Sequence, residues 1–321
     1  MSEAAVPLPP HEGADAAPVA APRWQADSAL VLAAFFFGTT FIVVQDAVER
    51  VAPLPFLAVR FLIGATVLGI VAHRRTAARR AQGDTGRPGT PGELRDGVLA
   101  GLLLLTGYVF QTVGLQYTTA ATSAFITYML VVFVPFISFA TTRRAPHPLT
   151  LVGVVLAVAG LVLLTGGADT GFGRGEALTL GCAVAFAAHL VFLGDVAGRH
   201  DPVRLTTVQL ATVGLACLVP AAVQREFDID GSALAAAAFT GVFATAVAFL
   251  AMVWAQRVVS PSRAAIILLL EPVFAALLSA LIDEPLTAAT VAGGGLILIA
   301  VLLAEVVAPM LAGRATHPVR D

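Results

Sequence analysis

The sequence predicts an all-α integral membrane protein with ten transmembrane helices in two inverted five-helix repeats and with both termini in the cytoplasm. Three observations predict this class: the composition, the lengths of the apolar runs and the placement of arginine. Hydrophobic residues make up 58% of the 321 residues and charged residues only 12%. A soluble domain of this length carries about twice that charge. The composition therefore favours a chain that crosses a lipid bilayer repeatedly.

The apolar runs have the length that a bilayer requires. A helix needs about 20 mostly apolar residues to cross about 30 Å of hydrocarbon. Ten segments meet this requirement, of which the fifth is the shortest: 28–47, 54–73, 97–116, 119–140, 150–165, 177–196, 205–223, 232–254, 264–282 and 286–307. Residues 1–26 are rich in Ala, Pro and acidic groups, and are predicted to form a disordered cytoplasmic tail. They lack the basic start of a signal peptide. Residues 309–321 are predicted to form a second cytoplasmic tail.

Arginine alternates with the predicted loops. All 19 basic residues are arginine. If the N-terminus is cytoplasmic and the chain crosses ten times, the outer loops contain only Arg50, Arg174 and Arg225, and Arg60 lies within a span. The other arginines then lie on the cytoplasmic side, as the positive-inside rule requires. We therefore predict a multi-pass protein of a bacterial-type cell (inner) membrane with both termini in the cytoplasm.

The two halves of the chain resemble each other with a period near 140–149 residues. Residues 53–60 match 202–209 in position, and residues 132–138 match 273–279. The predicted repeats are residues 27–166 and 167–308. Each repeat has five spans, and because five is odd the second repeat runs through the membrane upside down. Inverted repeats are the architecture of alternating access, in which one central site is reached from either side in turn.

Several short motifs resemble a known family. Phe37-Gly38-Thr39-Thr40-Phe41 is similar to the family's Trp-Gly-Ser-Ser-Phe, and the other similar stretches are 55–61, 114–118, 270–273 and 283–286. Together they resemble the drug/metabolite transporter superfamily, EamA type, over residues 28–307. The resemblance implies ten spans in two inverted halves. It also implies transport of amino acids, other metabolites or toxic compounds, driven by ion gradients or by facilitation and never directly by ATP. Phe37 departs from the family's Trp, which puts the size of the cavity in question.

Arg60, His189 and Glu271 lie away from the ends of predicted spans, where a charge costs about 2.5–3.5 kcal/mol. Arg60 could bind a substrate carboxylate through two parallel hydrogen bonds, or pair internally and fix the packing. Glu271 lies near the middle of the ninth span, and Pro272 after it frees the carbonyl group of Leu268. Glu271 could exchange a proton against cargo, or cap this kink. His189 in the sixth span is a second candidate for proton coupling, or a hydrogen-bonded packing residue.

A set of uncharged polar and aromatic residues could line a central cavity. Each one alone could serve in helix packing, but buried polar side chains as a group require partners or water. Thr127 is one further candidate. Together with Arg60, the predicted substrate-binding set comprises Thr39, Thr40, Tyr108, Gln111, Tyr128, Gln209 and Trp254.

The favoured interpretation is a secondary transporter, acting as an exporter, that moves a small organic metabolite such as an amino acid, or toxic compounds, by alternating access. Proton coupling is a hypothesis within this interpretation. The alternatives are an intramembrane enzyme and an uncoupled facilitator or channel. The sequence has no Gly-x-Ser-x-Gly or His-Glu-x-x-His motif, and without lysine it cannot form a phosphate loop. It also shows no selectivity-filter sequence.

The expected partners are a small-molecule substrate, the lipid bilayer and protons. We expect no enzymatic activity, cofactor, metal or nucleic-acid partner. Cys182 and Cys217 lie in apolar runs and are interpreted as small buried hydrophobic residues. The oligomeric state is not predicted.

Overall fold

A computed structural model of the protein describes residues 23–82, 91–142, 148–164, 172–224, 227–259, 261–268, 270–281, 287–303 and 307. Within these ranges the regular structure is helical, and no strand occurs among them. The predicted tail at 309–321 and most of the tail at 1–26 lie outside the described residues. Residues 23–26 differ from the prediction, because they form the first turn of a helix in which Ala26 is buried.

Proline sets the start of many helices. It occupies the first position of the second, third, sixth, eighth and eleventh helices, where its fixed φ suits the helix and its missing N–H costs nothing. A π-helical segment, Thr240–Val247, joins α9 to α10. The helices are α1 Arg23–Val48, α2 Pro53–Ala81, α3 Pro91–Gly114, α4 Ala120–Thr127, α5 Leu130–Thr142, α6 Pro148–Leu164, α7 Arg174–Val196, α8 Pro202–Gln224, α9 Gly231–Phe239, α10 Ala248–Ala255, α11 Pro261–Leu268, α12 Leu270–Leu281 and α13 Ala288–Leu302.

The described residues contain seven helical stretches that are long and apolar enough to cross a membrane. They are Arg23–Val48, Pro53–Ala81, Pro91–Gly114, Thr122–Ala140, Arg174–Arg199, Pro202–Val223 and Gly231–Ala255. The predicted fifth span falls on α6, the ninth on α11 and α12, and the tenth on α13. In the described part of the chain these helices are shorter than the seven stretches above. The protein is therefore an all-helical, multi-pass membrane protein.

Helices from the two halves of the chain pack against each other. The extensive contacts join α2 with α8, α6 with α13, α3 with α7 and α8, and α1 with α10 and α12. In the predicted repeat, α1 corresponds to α7, α2 to α8, and α3 to α9 and α10 with the π-helical segment between them. Replacing each helix by its counterpart turns one contacting pair into another. The contact of α3 with α7 becomes that of α1 with α10, and the contact of α3 with α8 becomes that of α2 with the π-helical segment. The buried core therefore lies between the two halves.

Two glycines allow equivalent close approaches in the two halves. A Cβ atom on Gly101 would lie 2.8 Å from the carbonyl oxygen of Gln209, and one on Gly241 would lie 2.7 Å from the carbonyl oxygen of Arg60. Arg60 and Gln209 occupy matched positions of the predicted sequence repeat. Because a backbone carbonyl cannot swing away as a side chain can, glycine is required at both contacts.

Polar side-chain contacts connect the halves at both ends of the helical bundle. At one end, Arg50 lies 2.7 Å from Asp46 and 3.6 Å from Asp230, the residue that caps α9. At the other end, Nε2 of His200 lies 2.9 Å from Oδ2 of Asp96 in α3. The helix α2 runs between these ends, and its 29 residues span about 43 Å.

At the end of the bundle that contains Arg50, the pKa of Asp230 is lowered by its contacts. Its carboxylate accepts hydrogen bonds from the hydroxyl group of Ser232 and from the backbone N–H of Ala233. These bonds, with the nearby Arg50, hold the pKa of Asp230 below its usual range.

Candidate functional site

A cavity lies between the two halves, and aromatic rings form much of its wall. The ring of Phe249 lies 5.1 Å from that of Phe37 and 6.1 Å from that of Tyr108, and Phe186 lies 5.2 Å from Tyr108 on the other side. The space not filled by atoms is about 560 Å³, including the part that opens outward. Small-molecule sites occur in cavities of this kind, between the helices of a bundle.

Glu271 is the acidic residue on the described part of the wall. Its side chain is buried, with 8% exposure, and Oε2 accepts a 2.6 Å hydrogen bond from the hydroxyl group of Tyr128. Hydrogen bonds that involve a carboxylate are shorter and stronger than those between neutral groups. The structure thus places one carboxyl group, held by a phenol, in contact with the cavity.

A tight turn between α4 and α5 positions Tyr128. Here the backbone N–H of Met129 bonds to the carbonyl of Ile126, and the N–H of Val131 bonds to the carbonyl of Tyr128, three residues back in each case. Pro135 follows within α5 and has no N–H to offer to the carbonyl group of Val131. The local change of helical pitch turns the Tyr128 side chain toward α12, which carries Glu271.

Arg60 lies behind this wall. It is 1% exposed, its Nε donates a 2.9 Å hydrogen bond to Oγ1 of Thr245, and its guanidinium group lies 5.0 Å from the ring centre of Tyr108. Its Nη2 has no hydrogen-bond partner among the described residues. Arg60 also interacts electrostatically with Glu271. The positive charge therefore acts on the cavity across the ring of Tyr108 and does not line it.

His189 and Gln209 form a buried pair. Nε2 of His189 lies 2.9 Å from Oε1 of Gln209, and the imidazole ring also packs edge-on against Phe249 at 6.3 Å. His189 lines the cavity, whereas Gln209 lies behind it. Nε2 of Gln209 is buried without a partner in the described part of the chain. The pair leaves amide hydrogen-bonding capacity next to the cavity.

Further polar side chains line the otherwise mostly apolar wall. Nε2 of Gln111 donates a 3.2 Å hydrogen bond to Oγ1 of Thr127, and Oγ1 of Thr40 donates to the carbonyl group of Phe37 at 2.6 Å. All three polar side chains line the cavity. The hydroxyl group of Thr40 donates one hydrogen bond within the protein, and that of Thr127 accepts one. Both oxygens can still accept a hydrogen bond from a solute.

The structure separates the predicted site residues into two groups. Lining the cavity are Thr40, Tyr108, Gln111, Tyr128, His189 and Glu271, together with Thr127. Arg60 and Gln209 each contact a lining residue from behind. Thr39 is not among the lining residues of the cavity, and its hydroxyl group donates to the carbonyl group of Phe36 within α1. Trp254 also lies off the cavity, packed against the hydrophobic core.

Other residues of the site carried no signal in the sequence. Phe186, Phe249 and Met252 line the cavity, but an aromatic residue or methionine in an apolar helix has no pattern that separates a cavity wall from the core. Thr245, the partner of Arg60, lies in the π-helical segment, and such segments occur often at functional sites. The sequence pattern does not distinguish this segment from an ordinary helix.

Apolar helices long enough to span a bilayer, packed around a partly polar central cavity, define a multi-pass membrane protein with an internal site. The chain belongs to the EamA-like transporter family, which matches residues 24–166 and again residues 173–305. It is therefore a membrane transporter of the drug/metabolite transporter superfamily.

Individual relatives agree with this assignment. The chain is 34% identical over 285 residues to an uncharacterized transporter of Archaeoglobus fulgidus, covering 88% of this chain and 86% of the relative. It is 26% identical over 287 residues to the uncharacterized transporter YvbV of Bacillus subtilis, covering 86% and 90%. A solved crystal structure with 20% identity matches with a TM-score of 0.65, over 90% of this chain and 99% of its own. This last likeness concerns the fold alone.

Proposed function

We propose that the protein is a secondary transporter that exports a small organic solute across a bacterial cell (inner) membrane by alternating access. In this proposal the solute exchanges for protons carried by Glu271, and the chain crosses the membrane ten times with both termini in the cytoplasm. The observation that carries the proposal is the buried carboxyl group of Glu271, bonded to Tyr128 and facing the cavity between the two halves. An ionisable group at such a depth marks a substrate or proton pathway in membrane proteins.

The relation between the two halves supports alternating access. We assign the repeats to residues 27–166 and 167–308, with the second inverted. Helix pairs exchange under this assignment, and the close approach of Gly101 to Gln209 has its counterpart in that of Gly241 to Arg60. A site between two inverted repeats can be exposed to either side by rocking one repeat against the other.

Two side-chain contacts between the halves support the same mechanism. Arg50 with Asp230 joins the halves at one end, and His200 with Asp96 joins them at the other. Both pairs are formed together here. Opening the cavity toward one side requires separation of the pair at that side while the other remains closed, so each pair stabilises closure of its own end.

The wall of the cavity suits a solute with an apolar body and an amino group. Phe37, Tyr108 and Phe249 offer aromatic faces, which attract both apolar groups and cations. Glu271 supplies a negative charge for an ammonium group, and a proton on the carboxyl group abolishes that attraction. Solute and proton thus compete for one carboxyl group. Amino acids and amphiphilic toxic amines both fit this description.

Flux measurements with purified protein in proteoliposomes test the proposal. A pH-sensitive dye is trapped inside, and a panel of amino acids and amphiphilic amines is added outside, with protein-free liposomes as the control. We expect a saturable proton signal for a subset of the panel. Solute uptake without a proton signal would favour the uncoupled facilitator, and an unsaturable conductance would favour a channel.

A further inference from the structure

A second pocket lies between α2 and α8, apart from the central cavity. Its described lining comes from the last turns of α2 and the start of α8, and comprises Ala72, Arg75, Thr76, Arg79, Val203 and Arg204, with Asp201 beside them. The space not filled by atoms is about 270 Å³, including the part open to solvent. The proposed transport mechanism uses none of these residues.

The two arginines of α2 point to the same side of their helix. Arg75 and Arg79 are four residues apart, and side chains at this spacing are neighbours on one helical face. Helices α2 and α8 pack against each other. Near the pocket, a Cβ atom added to Gly69 would lie 3.9 Å from Cγ2 of Thr207 in α8. The guanidinium groups therefore stand at the mouth of a cleft between two helices.

Positive charge dominates this pocket. Oδ1 of Asp201, the acidic residue of the lining, accepts hydrogen bonds from the backbone N–H groups of Val203 and Arg204 at 3.0 and 3.1 Å. It thus caps the start of α8. Within the ranges that the structure describes, neither Arg75 nor Arg79 takes part in an ion pair. A guanidinium group presents paired N–H donors that match the oxygens of a phosphate.

The depth of the pocket identifies the source of such a phosphate. Helix α2 has 29 residues, and about 20 of them suffice to cross the hydrocarbon. Counted from Pro53, the hydrocarbon ends near Ala72, where the pocket begins. The arginines then lie at the level of the lipid headgroups, where basic pockets between transmembrane helices bind acidic headgroups. We propose that this pocket binds the phosphate group of an anionic lipid headgroup.

Neighbouring arginines provide a matched control. Arg74 and Arg80 lie in the same two turns of α2 and are exposed, but they do not line the pocket. Charge that serves only to orient the chain in the membrane acts through its number and not through its position on the helix. A double substitution of Arg74 and Arg80 therefore removes the same charge as one of Arg75 and Arg79, and leaves the pocket intact.

Native mass spectrometry of the full-length protein tests the proposal, with phosphatidylglycerol as the probe and phosphatidylcholine as the zwitterionic reference. We expect Arg75→Gln with Arg79→Gln to weaken phosphatidylglycerol binding about tenfold. Arg74→Gln with Arg80→Gln should change it by less than about threefold, and phosphatidylcholine binding should not respond to either double variant.

Three results would overturn the proposal. Equal weakening by both double variants would show diffuse surface charge instead of a site. Unchanged binding in the Arg75 and Arg79 double variant would place the lipid elsewhere. Displacement of phosphatidylglycerol by inorganic phosphate at the same concentration would assign the pocket to a free anion from solution and not to a lipid.

Discussion

The hydroxyl group of Tyr128 donates a 2.6 Å hydrogen bond to the carboxyl group of Glu271. The two residues are 143 positions apart in sequence, and they belong to different halves of the chain. Their contact therefore joins the halves at the wall of the cavity. In the proposed mechanism this bond holds Glu271 in place while its proton and the solute alternate.

The contact between Tyr128 and Glu271 leads to the first prediction. Tyr128→Phe removes the hydroxyl group and keeps the ring, so Glu271 loses its partner without a change in packing. Hydrogen bonds to charged groups contribute about 1.5–3 kcal/mol, and we expect net solute flux to fall about tenfold or more. Initial rates in proteoliposomes measure this. The matched control is Tyr117→Phe, whose ring is 50% exposed. Equal initial rates of net flux for wild type and Tyr128→Phe would show that transport does not depend on this hydrogen bond.

The hydrogen bond between Arg60 and Thr245 leads to a prediction about stability. Thr245→Val leaves the Nε of a buried guanidinium group without its acceptor, which costs about 1–3 kcal/mol. Thr240→Val is the matched control, because Thr240 is buried in the same π-helical segment and its hydroxyl group donates only to backbone carbonyls of its own helix. Thermal unfolding in detergent should show a lower midpoint for Thr245→Val than for Thr240→Val. The reverse order would contradict the assigned role of Thr245.

The close approach of the helices at Gly241 leads to a third prediction. A methyl group there would meet the carbonyl oxygen of Arg60 at 2.7 Å, so Gly241→Ala must push the helices apart. Overpacking of this kind costs about 1–3 kcal/mol. Gly101→Ala should behave alike, since its contact is equivalent. Gly295→Ala, with open space around the added methyl group, should be tolerated in the same unfolding assay. Equal tolerance of all three variants would show that the contacts are looser than described.

Asp230 leads to a prediction on the pH dependence of stability. Its pKa is lowered in the folded protein by its bonds to Ser232 and Ala233 and by Arg50. A lowered folded-state pKa means that the stabilisation is complete above the unfolded pKa of about 3.9 and is lost as the pH falls through the folded value. Acidification below about pH 4 should therefore lower the unfolding midpoint of the wild type more than that of Asp230→Asn. Parallel pH profiles for the two proteins would argue against this contribution.

The sequence predicted the membrane class because apolar length is a local property. It also made Glu271 and Tyr128 candidates for the site, since polar groups inside apolar runs need partners. It could not show that they bond to each other, because that contact depends on the tight turn after α4 and on packing between distant segments. A sequence of one chain does not encode such pairings in any local pattern.

The aromatic wall and the position of Arg60 were beyond the sequence for a related reason. Phe249 and Phe186 resemble every other aromatic residue of an apolar helix. Arg60 was an obvious candidate by its charge, but whether it lines the cavity or lies behind Tyr108 depends on side-chain direction at a helix crossing. Thr39 and Trp254 are the opposite case, since both were predicted to bind the substrate and neither is among the lining residues of the cavity.

The most direct test of the central claim compares net flux with exchange in the Glu271→Gln variant. Net export against a gradient requires the carboxyl group to gain and lose a proton, whereas exchange of labelled for unlabelled solute at equal pH does not. Glu93→Gln, a change at another buried glutamate that is not among the described lining residues of the cavity, serves as the control. We predict that Glu271→Gln loses proton-driven net flux and retains exchange, while Glu93→Gln retains both. Proton-driven flux at the wild-type rate in Glu271→Gln would contradict the assignment of Glu271 as the proton carrier.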